Sequence, residues 1–283
     1  MNRKNMLLLR EQFLIDIIYL DKFLLTILIS IGFWSCTDHP VSPEPEPPVK
    51  INLYFQHLID HQEIDFDTLK YINEAGNPYL VNEIQYFISD IILYHSNGNS
   101  KRIEDWTDIH YVDTDLPETW QWAVYDDFEA GKYDSVSFTF GISEDKNISF
   151  MYVNPPEKDM FWPEFLGGGY HYMKLNGKWL PEGQTVQTTP FDFHLGIGQE
   201  YASYPDSIIG FIHNYFRVSL PNSAFEVESG ETKNLNITMH VEKWFKEPHV
   251  YDHDTFGGYI MQNQEAMQKV KENGQNVFTF EAN

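Results

Sequence analysis

The chain has 283 residues and a formal charge of −23, with aromatic residues making up 16% of it and a single cysteine. So acidic a surface repels phosphate backbones, which excludes nucleic acid as a partner. The one cysteine excludes internal disulfides and thiolate metal clusters, and the aromatic content favours strands over a helical bundle.

The first element in chain order is an apolar run over residues 23–35, preceded by Lys22 and ended by Cys36. It has the length of a signal-peptide core and is short for a membrane span. Residues 1–35 are read as a lipoprotein signal peptide, Phe33-Trp34-Ser35-Cys36 being a loose lipobox with Cys36 as the lipidation site. Residues 36–49 follow as a tether, in which Pro40, Pro43, Pro45, Pro47 and Pro48 alternate with acids and favour extended polyproline structure. A single folded domain is expected over 50–283.

Within that domain, residues 51–57 and 64–71 alternate apolar and polar side chains, the period of a half-buried strand. Residues 86–94 form a third strand, closed by the hairpin turn Asn97-Gly98. Further strands are predicted at 108–113, 134–141, 170–175, 191–195, 211–220 and 233–241. Helices are predicted at 118–130 and 262–272, the second stopping at Asn273-Gly274. The pattern is all-β: a single-domain β-sandwich with long loops and one or two short helices.

No nucleophile elbow, Walker loop, dinucleotide fingerprint or His-Glu-x-x-His motif is present, so the chain is read as a binding protein and not as an enzyme. Carboxylate pairs such as Asp126-Asp127 are expected by chance among 42 acids. Asp67-Thr68-Leu69, Asp134-Ser135-Val136 and Asp206-Ser207-Ile208 look like the short Asp-Ser/Thr-apolar sites glycosylated in some exported bacterial proteins.

Four motifs stand in a fixed order: Tyr86-Phe-Ile-Ser-Asp-Ile-Ile-Leu93; Phe138-Thr-Phe-Gly-Ile142 with Asn147; Asp159-Met-Phe-Trp162 with Gly169-Tyr-His-Tyr-Met-Lys-Leu-Asn-Gly177; and Phe191-Asp-Phe-His-Leu-Gly196. With the segment 260–278, this series resembles the MbnP-like family. Those copper-binding proteins are associated with methanobactin in methane-oxidising bacteria and have many lipoprotein relatives in Bacteroidota. The resemblance implies a β-rich domain that binds copper, involved in metal uptake, storage or handling while anchored in the bacterial cell envelope through lipid on Cys36. It also implies a dihaem oxidase or an outer-membrane transporter as partner. Some members carry a tryptophan oxidised to kynurenine, for which Trp106 and Trp162 are the candidates here.

Imidazole suits copper and zinc alike. His194 shares a strand face with Asp192 and Gly196, where the glycine lets another segment approach. His57 and His110 lie on two other predicted strands, and these three histidines are the expected metal ligands. His171, flanked by Tyr170 and Tyr172 after three glycines, reads as scaffold, and so does Trp162. The pairs His57/His61 and His249/His253 have helical ligand spacing in stretches that do not read as helix. His95, His213 and His240 are assigned to structure, and the dispersed Met160, Met173, Met239 and Met261 to the core. The competing reading is a non-metal module whose aromatic surface engages a glycan or a partner protein on the cell surface.

Overall fold

Alternating burial builds the first strand, β1 (Lys50–Ile59), whose Ile51, Leu53, Phe55, His57 and Ile59 all point inward. The structure is a computed structural model and describes residues 46–283. The signal-peptide reading of 1–35, Cys36 and most of the tether lie outside the described residues.

The smaller sheet runs β16 (Phe278–Ala282), β15 (Thr232–His240), β1, β2 (Gln62–Glu63), with β7 (Gln121–Ala123) also pairing with β1. β1 and β15 pair in parallel, Leu53 opposite Leu235, so the domain's first strand is closed by one near its end.

The larger sheet is organised on the 18-residue β4 (Pro78–His95). Tyr86 pairs with both Val112 of β6 (Ile109–Asp113) and Met173 of β9 (Met173–Trp179). Ile88 pairs with both His110 of β6 and Phe140 of β8 (Gly131–Phe140). Thus β9 and β8 follow each other along one edge of β4, with β6 along the other. The short β3 (Tyr71–Ile72) and β5 (Ser100–Arg102) also pair with β4, the latter through the turn at Asn97-Gly98. Beyond β9 lies β10 (Thr189–Leu195), and beyond β8 lie β13 (Phe216–Ser219) and β14 (Phe225–Val227). A separate hairpin is formed by β11 (Ile197–Ser203) and β12 (Ser207–His213), and among the described residues the longest helix is α1 (Gln264–Asn273).

The two sheets pack face to face through aromatic rings. Phe138 and Phe140 of the larger sheet lie 5.1 and 5.5 Å from Phe278 of the smaller one, ring centre to ring centre. The all-β sandwich expected from the sequence is therefore the observed architecture.

Three element predictions are corrected. Of residues 64–71 only Tyr71 is in a strand, β3; Asp67 has φ +60°, and the Asp65 backbone N–H donates to the Tyr71 hydroxyl, so a local side-chain bond replaces a ladder. Residues 118–130 are not a helix. A 3-10 turn at Pro117–Trp120 ends in β7, and Trp122, Val124, Asp126 and Phe128 are buried alternately with exposed neighbours, the period of a strand laid on β1. The predicted strand 211–220 is two strands in different sheets, divided at the buried Asn214, whose amide donates to Gly196 O at 3.0 Å.

Candidate metal site

The segment Met160–Tyr172 folds over the outer face of β9 and β10. A 3-10 turn at Glu157–Met160 and another at Glu164–Leu166 bracket Trp162. Three consecutive glycines with positive φ, 122°, 69° and 74° at Gly167 to Gly169, then turn the chain back on itself. The return is tied by Trp162 N–H to Gly169 O at 2.8 Å and by His171 N–H to Met160 O at 2.7 Å. Gly169 admits no side chain: a Cβ there would stand 2.6 Å from Asn147 Oδ1, which accepts the Tyr170 N–H at 2.8 Å.

This return places His171 against His194. Their rings lie 5.0 Å apart, centre to centre, and nearly perpendicular at 87°. The Nδ1–H of His171 donates to Met160 O at 2.8 Å, and the Nε2–H of His194 donates to Asn176 Oδ1 at 2.8 Å. These acceptors set complementary tautomers and leave Nε2 of His171 and Nδ1 of His194 as bare lone pairs. Both atoms are buried and have no hydrogen-bond partner. Asn176 is itself held by Glu83, to which its amide donates at 3.3 Å.

Burial keeps both rings neutral. His171 is pushed well below the ordinary imidazole value, by desolvation first and then by His194 and Lys174. Desolvation, helped by Lys174, brings His194 from 6.5 to about 3. Neutral imidazoles whose other nitrogen is oriented by a carbonyl or amide oxygen are the form in which histidine ligates metals.

Trp162 is fully buried at the edge of this pair, 4.7 Å from His171 between ring centres, and its Nε1–H donates to Leu166 O at 3.1 Å. Its far edge occupies the space that a side chain at residue 196 would take, since a Cβ on Gly196 would sit 2.5 Å from the indole carbons. The glycine beside His194 thus admits a side chain, the indole, where the sequence suggested a backbone.

The three predicted ligands do not meet. His57 points into the sandwich, with its Nε2 3.1 Å from Tyr86 OH and its ring edge-on to Trp120. It lines a cavity of about 270 Å³ together with Phe55 and Trp120. His110 is stacked between Phe55 and Trp122, at 5.2 and 4.9 Å, and its Nε2–H donates to Thr119 O at 2.7 Å. β6 and β10 are separated by β4 and β9, about 14 Å at ordinary strand spacing, which keeps His110 from His194. Among the described residues, no group of three or more His, Cys, Asp and Glu is placed to hold a metal ion.

His61 and His240 lie 5.6 Å apart between ring centres, His249 is paired with Glu272, and His253 is fully buried. Met160, Met173 and Met239 are likewise fully buried. Trp106 is 90% exposed, with Tyr125 as its aromatic neighbour. The sequence reads His171 as scaffold; its one available signal is the alternation Tyr170, His171, Tyr172 beside a glycine run, which does not reveal the fold-back onto β10.

The family model described as MbnP matches residues 48–267. Among solved structures, MbnP from Methylosinus trichosporium is similar with a TM-score of 0.52 and 14% identity, covering 82% of this chain and 98% of that one. At that identity the likeness is one of fold. No curated protein matches the chain. Since the family model spans most of the sequence, from before β1 into α1, the chain belongs to the MbnP family.

Proposed function

We propose that this protein is a copper-binding lipoprotein of the bacterial cell envelope, acting in metal uptake, storage or handling without catalysing turnover. The observation that carries the reading is the pair of bare, buried nitrogens on His171 and His194. A buried polar atom without a partner costs about 1–3 kcal/mol, and two on facing rings are accounted for together if a cation sits between them. Imidazole is a favoured ligand for copper, and the buried Trp162 indole against His171 would help exclude water from the ion. His171 Nε2 and His194 Nδ1 would hold it, with Met160 O and Asn176 orienting the rings from behind.

Trp162, in edge contact with His171, is the tryptophan best placed for the oxidation that the family resemblance implies, and Trp106 is not near the pair. A dihaem oxidase as partner follows from that reading; an outer-membrane transporter is the partner for uptake. Anchoring through lipid on Cys36 rests on the apolar run that ends at that residue.

The test is copper loading of the purified chain followed by desalting and elemental analysis. One retained ion per chain, lost in both His171→Ala and His194→Ala but kept in His57→Ala, supports the assignment. Retention by both single variants would overturn the His171–His194 assignment, and loss only in His57→Ala would move the site to the β1 cavity. Absence of retained copper in the unaltered protein would overturn the function.

A further inference from the structure

A second binding site lies on the β11–β12 hairpin, and we propose that it takes a neutral pyranose sugar, independently of any metal. The cavity measures about 680 Å³, within the roughly 300–1,000 Å³ of small-molecule sites, and lies between the hairpin and the loop entering α1. Its walls carry Tyr201, Tyr204 and Tyr259, with Gln199, Gln262 and Asn263 between them.

Three properties of these walls point to a sugar. Tyr204 and Tyr259 are 66% and 65% exposed, so their rings are free to receive the C–H face of a pyranose. Tyr201 and Tyr204 stand 5.0 Å apart at 75°, a corner of two ring planes, and Gln262 Nε2 holds the Tyr201 hydroxyl at 3.2 Å.

The second property is an unmet acceptor. Gln199 is 4% exposed, and its amide nitrogen donates to Leu166 O at 2.9 Å and Ile197 O at 2.5 Å. With the nitrogen so committed, Oε1 faces no partner among the described residues. A buried acceptor at a cavity wall suits the donor of a sugar hydroxyl.

The third property is charge. Charged residues are 22% of the chain, yet none lines this cavity. A net charge of −23 further disfavours anionic ligands. Stacking faces, amides and hydroxyls without charge match a neutral polyol ring, not a phosphate, a carboxylate or a cation.

The probe is an array of neutral hexasaccharides in gluco, manno, galacto and xylo configurations, with polygalacturonate as the acidic comparison, applied to the full chain with and without a copper chelator. At least one neutral sugar should bind in both conditions, with affinity falling about tenfold in Tyr204→Ala and further in Tyr204→Ala/Tyr259→Ala. Gln199→Leu should weaken binding while Trp106→Ala, an exposed aromatic elsewhere, leaves it unchanged. Both tyrosines are exposed, so circular dichroism should show their variants folded. No neutral sugar bound at millimolar concentration, binding unaffected by the double tyrosine variant, binding only to the acidic polymer, or binding lost on chelation would each overturn the proposal. Because the chelator arm reads the sugar alone, failure of the copper reading leaves this test intact.

Discussion

His171 and His194 meet as perpendicular rings with opposite tautomers, each bonded to an acceptor on its outer nitrogen and bare on the other. The acceptor behind His194 is the side chain of Asn176, directly opposite Asp192 in the β9–β10 register, so the arrangement depends on strand pairing as well as on the loop that carries His171.

Removing that acceptor tests the orientation. Asn176→Leu leaves His194 in place but frees its ring to choose the other tautomer. Copper affinity is expected to fall about 10- to 100-fold with the folded state retained, measured by competition with a chromogenic copper chelator. Unchanged affinity would show that Asn176 does not position the ring.

Gly196→Ala should destabilise the fold, because the new methyl would stand 2.5 Å from the Trp162 indole. The indole is fully buried and has little room to shift. Overpacking of this kind costs about 1–3 kcal/mol, read as a lower denaturation midpoint in urea; Trp162→Phe in the same background should recover part of it.

Asn147→Ala removes the acceptor of the Tyr170 N–H, which lies behind the glycine turn. Leaving that donor unsatisfied should cost about 1–3 kcal/mol and loosen the segment that presents His171. Hydrogen exchange at Tyr170 and His171 should quicken, with β1 and β15 unaffected.

Stability should fall on acidification below the ordinary imidazole value. Burial brings His57, His110 and His253 from 6.5 to about 4 in the folded chain. A group with a depressed imidazole value is neutral when folded and charged when unfolded between those limits. Its unfolded form therefore binds more protons there, and folding weakens as pH drops from 6.5 towards 4. Urea midpoints measured across that window should decline steadily and level off above it.

His253→Leu should flatten part of that decline. His253 is fully buried among Phe191, Phe245 and Trp179, and neither ring nitrogen has a partner. Its backbone N–H bond to Asn77 survives the substitution. Stability at neutral pH should hold or rise by about 1 kcal/mol; a large loss would mean that the imidazole has a partner the side chain needs.

Strand elements were legible where one face is buried against a sheet. β1 and β10 show their alternation in sequence because alternate side chains of each strand are buried against the rest of the sandwich. Residues 118–130 were not legible: their Trp-rich stretch fits a helical pattern, and only pairing of Leu53 with Trp122 selects the extended form. His194 was readable as a polar residue beside a small one on the outer strand face. His171 was not, since its burial depends on a turn of three left-handed glycines fastened by Asn147 and Ser149 from a distant loop.

By itself the sequence determined the all-β class, the order of the family motifs and the placing of His194 on a strand face shared with Asp192 and Gly196. Those follow from composition and period-two patterning, which are local. Tertiary structure alone decided that His194 meets His171 while His57 and His110 lie elsewhere, and that Gly196 receives an indole. Which side chains share a site is a matter of strand order and register, and these are set by packing across residues far apart in the chain.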